Sequence, residues 1–216
     1  MSVRGNSIFR IEKERHTRFK EKNSVICPIL EKIRIESPGS WKAILMPCLH
    51  GPEISILKSK GVPSANIVAI ERDPDTWRMI KSRHGFDVGP APLEANEAID
   101  HIYAKHEGGF DFIYLDFFSR PTFSHLQMLQ KIFSFRMIRK GGKLILTFGR
   151  NRCRPEVREM NDMLLRGKEL LPTKVWILAA AEISRHRHPK RIKNHEYKSS
   201  VGGNVNVHYI TTEAQF

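Results

Sequence analysis

Residues 42–148 alternate strand-like apolar runs with helix-like segments, and two of those runs close on a carboxylate. Lys42 to Pro47 reads as a strand, Cys48 to Glu53 as a tight loop and Ile54 to Lys60 as a short helix. Asn66 to Ile70 is a second strand closing on Glu71, and Phe110 to Leu115 a third closing on Asp116. Arg139-Lys-Gly-Gly-Lys-Leu-Ile-Leu-Thr-Phe148 is a double-glycine turn feeding another buried strand. Alternation of this kind builds a parallel sheet, and open parallel sheets bind ligands outside the carboxyl ends of their strands. Glu71 and Asp116 fall at such ends.

The connecting segments have helical spacing. Ser24 to Ile33 carries Ile26, Ile29, Leu30 and Ile33 at three- and four-residue intervals, the mark of an amphipathic helix. Asp73-Pro-Asp75 opens a second helix that Gly85 ends, with Pro74 in the first turn, where no intrahelical N–H bond is lost. Phe86 to Val88 is a candidate short strand. Leu93 to His106 and Phe123 to Ile138 read as helices, and so do Arg154 to Arg166 and Val175 to His186. His195 to Ser200 and Val205 to Thr211 read as strands joined by the turn Val201-Gly-Gly-Asn204. The expected fold is α/β, with a mostly parallel sheet and a C-terminal antiparallel hairpin. Residues 1–40 form a basic helical extension on a domain over 41–216, within which 150–193 is a basic helical and loop segment.

Charge narrows the partners. The chain carries 36 Lys and Arg against 23 Asp and Glu, a net of +13. Residues 1–34 hold nine basic and four acidic side chains, and residues 150–198 hold thirteen and six. Residues 35–149 are nearly balanced, fourteen against twelve. The excess therefore flanks the α/β core, as expected of a protein that contacts a phosphate backbone. Arg150, Arg152, Arg154, Arg185, Arg187, Lys190, Arg191 and Lys193 are the candidate contacts. Absence of a run of about 18 apolar residues argues against a membrane span. A charged N-terminal stretch argues against a secretory signal, and three scattered cysteines argue for an intracellular setting.

Taken together, these residues resemble the class I S-adenosylmethionine-dependent methyltransferases. Glu71 matches the family's strand-end acid that binds the ribose hydroxyls. Phe110-Asp-Phe-Ile-Tyr-Leu-Asp116 is similar to its fourth strand with the terminal acid, and Ile138 to Thr147 to its glycine-turn entry into the fifth. The resemblance covers residues 40–150, with the hairpin at 195–212 supplying the last strands. It implies a Rossmann-like seven-stranded sheet with helices on both faces and adenosylmethionine as cofactor. Pro47, Leu49, Gly51, Glu71 and Asp116 would line the cofactor site, with Asp116 also flanking the methyl-transfer point.

The first loop departs from the family. Where glycines are usual, this chain has Pro47-Cys-Leu-His-Gly-Pro-Glu53, retaining only Gly51. Leu115-Asp-Phe-Phe118 is not the Asn/Asp-Pro-Pro-Tyr signature of amino-group methylation on adenine or cytosine. A Gly-x-Gly-x-x-Gly fingerprint for a dinucleotide is missing. Cys48 follows the first strand, not the fourth, and reads as a packed thiol. The set Lys42, Asp116, Lys198 and Glu213 has the composition of a ribose-methylating tetrad, but 36 basic residues make such sets easy to find. Arg185-His-Arg-His188 with His195 and Cys153 matches no zinc spacing, so no metal is expected and the run reads as a phosphate-contacting loop. The expected function is methylation of a nucleic acid, RNA somewhat before DNA. The rival is a catalytically inactive methyltransferase-like module that binds nucleic acid or protein.

Overall fold

The computed structural model describes residues 24–47, 51–84, 92–106, 108–117, 122–149, 172–201 and 205–216. Helices are α1 (24–31), α2 (Pro52–Ser59), α3 (Pro74–His84), α4 (Ala95–Lys105), α5 (Phe123–Ser134) and α6 (Pro172–Ile183). Strands are β1 (Ala43–Leu45), β2 (Ile67–Ala69), β3 (Phe110–Phe117), β4 (Ile138–Gly149), β5 (Arg191–Val201) and β6 (Val205–Gln215). They form one sheet in the order β2-β1-β3-β4-β6-β5. β1 runs parallel to β2 and β3, and β3 parallel to β4. β6 is antiparallel to both β4 and β5. The mostly parallel sheet with an antiparallel hairpin is thus observed, with six strands among the described residues. The expected strand at Phe86–Val88 and the expected helix at Arg154–Arg166 lie outside them.

Alternation along the strands sends side chains to two cores. On one face Ile44, Val68, Ile113, Leu115, Leu144, Leu146 and Ala214 meet Ile99 and Ile102 of α4, Leu129 and Ile132 of α5 and Ile177 of α6. On the other, Ala43, Leu45, Ile67, Phe112 and Tyr114 meet Ile26 and Leu30 of α1, Ile54 and Leu57 of α2 and Ile80 of α3. Burying each large aliphatic side chain contributes roughly 1.5–3 kcal/mol, so both helix layers are fixed to the sheet by their apolar stripes.

Several boundaries differ from the expectation. The helix read through to Ile138 ends at Ser134, because Arg136 takes φ 51 and turns the chain. Met137 is buried, and Ile138 pairs with Phe110. The glycine pair after it makes an irregularity in the β3–β4 register between Phe110 and Phe112. The hairpin strands are also longer than expected. β5 begins at Arg191, so Arg191 and Lys193 are not loop residues but lie on the strand at the sheet's edge.

Candidate functional site

The chain crosses from β1 to β2 on one side and later returns to place β3 on the other side of β1. This reversal leaves a gap above the carboxyl ends of β1 and β3, the usual place for a ligand in such sheets. A cleft of about 700 Å³ lies there. It is walled by Met46 and Pro47 after β1, Ile70, Glu71 and Arg72 after β2, and Asp116 and Phe117 at the end of β3. Leu93, Glu94, Ala95 and Asn96 around the start of α4 and Ser124, His125 and Met128 of α5 complete it.

Local chemistry sets each polar wall residue. Strand pairing continues past the short strands, with Met46 N–H donating to Tyr114 O at 2.9 Å and Ile70 N–H to Leu45 O at 2.8 Å. That pairing holds the three strand ends level. Glu71 Oε1 accepts from the Asp73 amide at 2.8 Å, while Asp73 Oδ1 accepts from the Thr76 amide at 2.8 Å and so caps α3. The carboxylate of Glu71 is thereby tied to a helix entry and kept at the cleft wall. Arg72 and Glu94 approach to 3.4 Å at the exposed rim. Asp116 is buried, and its amide N–H contacts Met46 Sδ at 3.3 Å. Asn96 Oδ1 is buried with no hydrogen-bond partner among the described residues, and such an acceptor is costly unless a ligand or water serves it.

His125 lines the cleft and was not among the residues expected there. Its Nδ1 accepts from the Thr122 amide at 3.0 Å, and together the two residues close a capping box at the start of α5. The ring packs on Phe117, centroids 4.2 Å apart, and on Phe148, 5.3 Å apart. Burial pushes its pKa down to about 4, so the imidazole is neutral near pH 7 and carries its proton on Nε2. The only sequence signal was the spacing Thr122-Phe-Ser-His125, with histidine in the place of the usual Glu or Gln.

Three of the five expected cofactor residues, Pro47, Glu71 and Asp116, come together in the cleft. Gly51 is not part of its wall. It caps α2 with φ 54, and a Cβ there would meet His84 Nε2 at 2.7 Å. Leu49 lies outside the described residues. The Lys42, Asp116, Lys198 and Glu213 set is not assembled as one site. Glu213 pairs with Lys143 at 2.6 Å on β6, opposite Ile145 and separated from β3 by β4, and Lys42 precedes β1 at the end of the sheet away from Asp116.

Of the expected nucleic-acid contacts, Arg150, Arg152 and Arg154 lie outside the described residues. Arg185, Arg187, Lys190, Arg191 and Lys193 are all exposed, in the turn after α6 and the start of β5. Arg187 also has a structural bond, Nη2 donating to Ile138 O at 3.0 Å. Among the described residues no three His, Cys, Asp or Glu side chains cluster to hold a metal ion, and no helix is long and apolar enough to cross a membrane.

No protein-family model matches the chain, and no curated protein matches it in sequence. Solved structures do resemble it. A SAM-dependent methyltransferase from Archaeoglobus fulgidus superposes with a TM-score of 0.53 at 10% identity, over 94% of each chain. A candidate SAM-dependent methyltransferase from Streptococcus mutans gives 0.50 at 8% identity over 90% of this chain, which spans about half (48%) of that one. The fibrillarin pre-rRNA processing protein of Methanococcus jannaschii is looser, 0.46 at 14% identity, over 91% of this chain and 75% of its own. At these identities the likeness concerns the fold, a mostly parallel Rossmann-like sheet flanked by helices, of the kind that methyltransferases use.

Proposed function

We propose that the protein is an S-adenosylmethionine-dependent methyltransferase acting on a nucleic acid, with RNA the polymer to test first. The observation that carries this reading is the cleft at the switch point, with Glu71 and Asp116 at the ends of strands two positions apart in the sheet. Strand spacing sets those strands about 10 Å apart, a span suited to a nucleoside with an extended substituent. The walls fit such a group. Glu71 would accept from the ribose hydroxyls, and Ile70, Leu93, Ala95 and Met128 offer apolar contact to a purine ring. The buried Asn96 Oδ1 would accept from an exocyclic amino group. Met46, Pro47 and Asp116 would hold the amino-acid end, Asp116 facing its positive charges.

When bound, the cofactor supplies an already activated methyl group on sulfur. The protein is then left with orientation, which can contribute several orders of magnitude without acid–base help. Asp116, buried at the end of β3, would fix the acceptor beside the methyl group. The exposed basic residues Lys190, Arg191 and Lys193, with Arg150, Arg152, Arg154, Arg185 and Arg187, would hold the phosphate backbone without reading sequence.

Calorimetric titration with adenosylmethionine and adenosylhomocysteine, after removal of copurified ligand, tests this. The expected result is saturable binding that falls about tenfold or more in Glu71→Ala, the loss of a charge-assisted bond pair. A folded protein that binds neither ligand overturns the enzymatic reading. The second reading, a catalytically inactive module binding nucleic acid or protein, draws on one observation. The single glycine of the first loop is committed to packing against His84 and leaves the cleft wall to Pro47.

A further inference from the structure

The cleft has more wall than a cofactor held by Glu71 and Asp116 uses. Sheet order places β2, β1, β3 and β4 side by side, so Glu71 stands at one end of this row and Asp116 two strands along it. His125 lies further along again, its ring against Phe117 of β3 and Phe148 of β4. With the ribose on Glu71 and the transfer point beside Asp116, His125 is on the far side of that point, where the methyl acceptor must enter.

Its chemistry there is fixed by the fold. The Thr122 amide occupies Nδ1, so the neutral ring keeps its hydrogen on Nε2. Among the described residues Nε2 has no hydrogen-bond partner, although the ring lines the cleft. One edge of the ring is thus spent on the helix cap, and the other is a donor left to a ligand. Phe117 and Phe148 prevent the ring from turning away. Phe123, two residues earlier, is 52% exposed on the same first turn of α5, and an exposed aromatic face stacks readily on an unpaired base.

We propose that His125 is a substrate-reading residue, which donates Nε2–H to a ring nitrogen or carbonyl oxygen of an unpaired nucleobase presented as methyl acceptor. The assignment rests on the methyltransferase reading. It excludes His125 as the base that removes a proton from the acceptor, because Nδ1 is engaged and Nε2 is already protonated. It also selects against a duplex, in which the acceptor edge of the base is stacked and paired.

The capping box supplies the test. A box closes equally well with Glu or Gln at this position, so His125→Glu and His125→Gln both keep the cap. Gln can close the cap with its carbonyl oxygen and donate from its amide nitrogen to the cleft, whereas Glu has no donor to give. The probes are adenosylhomocysteine, a mixed-sequence 20-nucleotide single-stranded RNA, and an abasic oligomer of the same length, the last two titrated with adenosylhomocysteine present. In His125→Glu we expect RNA affinity to fall about tenfold, with adenosylhomocysteine and abasic-oligomer affinities within about threefold of wild type. In His125→Gln all three affinities stay near wild type. Equal RNA affinity in wild type and both variants overturns the proposal. So does a loss of adenosylhomocysteine affinity matching the RNA loss, which would place His125 on the cofactor, or an equal loss for the abasic oligomer, which would reduce the effect to charge. A wild-type protein that does not bind adenosylhomocysteine removes the methyltransferase reading itself, and this proposal with it.

Discussion

The Thr122 amide N–H donates to His125 Nδ1 at 3.0 Å, and this one bond both closes the cap of α5 and leaves the ring hydrogen on Nε2, at the cleft wall. Protonating the ring would put a hydrogen on Nδ1 against an amide that is itself a donor. Burial is what brings the pKa down to about 4. The folded value lies below the unfolded one, so the unfolded chain binds the proton first as pH falls. Stability is therefore complete above about pH 6.5 and is lost as pH drops towards about 4, by up to roughly 3 kcal/mol. Urea midpoints measured from pH 7.5 to 4 should fall across this window in the wild type. In His125→Gln the fall should be shallower, with the remainder due to His106 and His186, whose pKa values burial also lowers. An identical profile in the variant would contradict the assignment.

Gly51 makes a separate prediction about stability. It begins α2 in the left-handed region, φ 54, and the position of a Cβ is only 2.7 Å from His84 Nε2. His84 is itself buried at the end of α3, where Lys58 donates to its carbonyl oxygen at 3.0 Å. Gly51→Ala therefore combines backbone strain with a collision in a packed region. The expected cost is about 2–4 kcal/mol, read as a lowered denaturant midpoint. A cost within experimental error would show that the packing of α2 on α3 yields easily.

Gly51 also illustrates what could be read from sequence. A glycine after the first strand is expected to admit the cofactor, but the reason for it is His84, on a different helix and far along the chain. No local pattern encodes that proximity. The position of Asp116 at the end of a buried strand was legible because it follows an unbroken apolar run, Phe112 to Leu115, whose burial is dictated by the residues themselves. His125 was hidden inside a helix start, and a capping spacing says nothing about the second edge of the ring. The start of β5 was hidden for another reason. An edge strand exposed to water needs no apolar alternation, so Arg191 and Lys193 pair with β6 while reading as loop.

The ion pair between Lys143 and Glu213, 2.6 Å apart, bridges β4 and β6 on the sheet face opposite α6. Burial pushes the Glu213 carboxyl up, but the hydrogen bond and charge of Lys143, with Lys193 and His195 nearby, outweigh it and hold the pKa below its ordinary value. The pair thus contributes stability that is present above about pH 4.5 and lost as pH falls through the lowered folded value. Glu213→Gln leaves Lys143 without its counter-charge and should cost about 1–2 kcal/mol at pH 7, with adenosylhomocysteine affinity unchanged. A matching loss of ligand affinity would mean that this half of the sheet communicates with the cleft.

The basic edge is best tested at side chains that make no hydrogen bond to the turn after α6. Arg187 donates to Ile138 O, and His188 approaches Glu182 to 2.8 Å, so replacing either would disturb the turn after α6. Lys190 is anchored by its backbone amide, which donates to Gln215 O at 2.7 Å, and Arg191 and Lys193 are held in register by β6. Their side chains can be removed without breaking those bonds. For a single strand, every phosphate that the protein ceases to neutralise lowers the slope of log affinity against log salt by about 0.7. Lys190→Ala, Arg191→Ala and Lys193→Ala together should reduce the slope by about 2 and weaken binding of all sequences alike. Titrating a labelled single-stranded RNA at four salt concentrations reads both effects. An unchanged slope would remove this edge from the interface and leave residues 1–34 and 150–171 as the phosphate-binding segments.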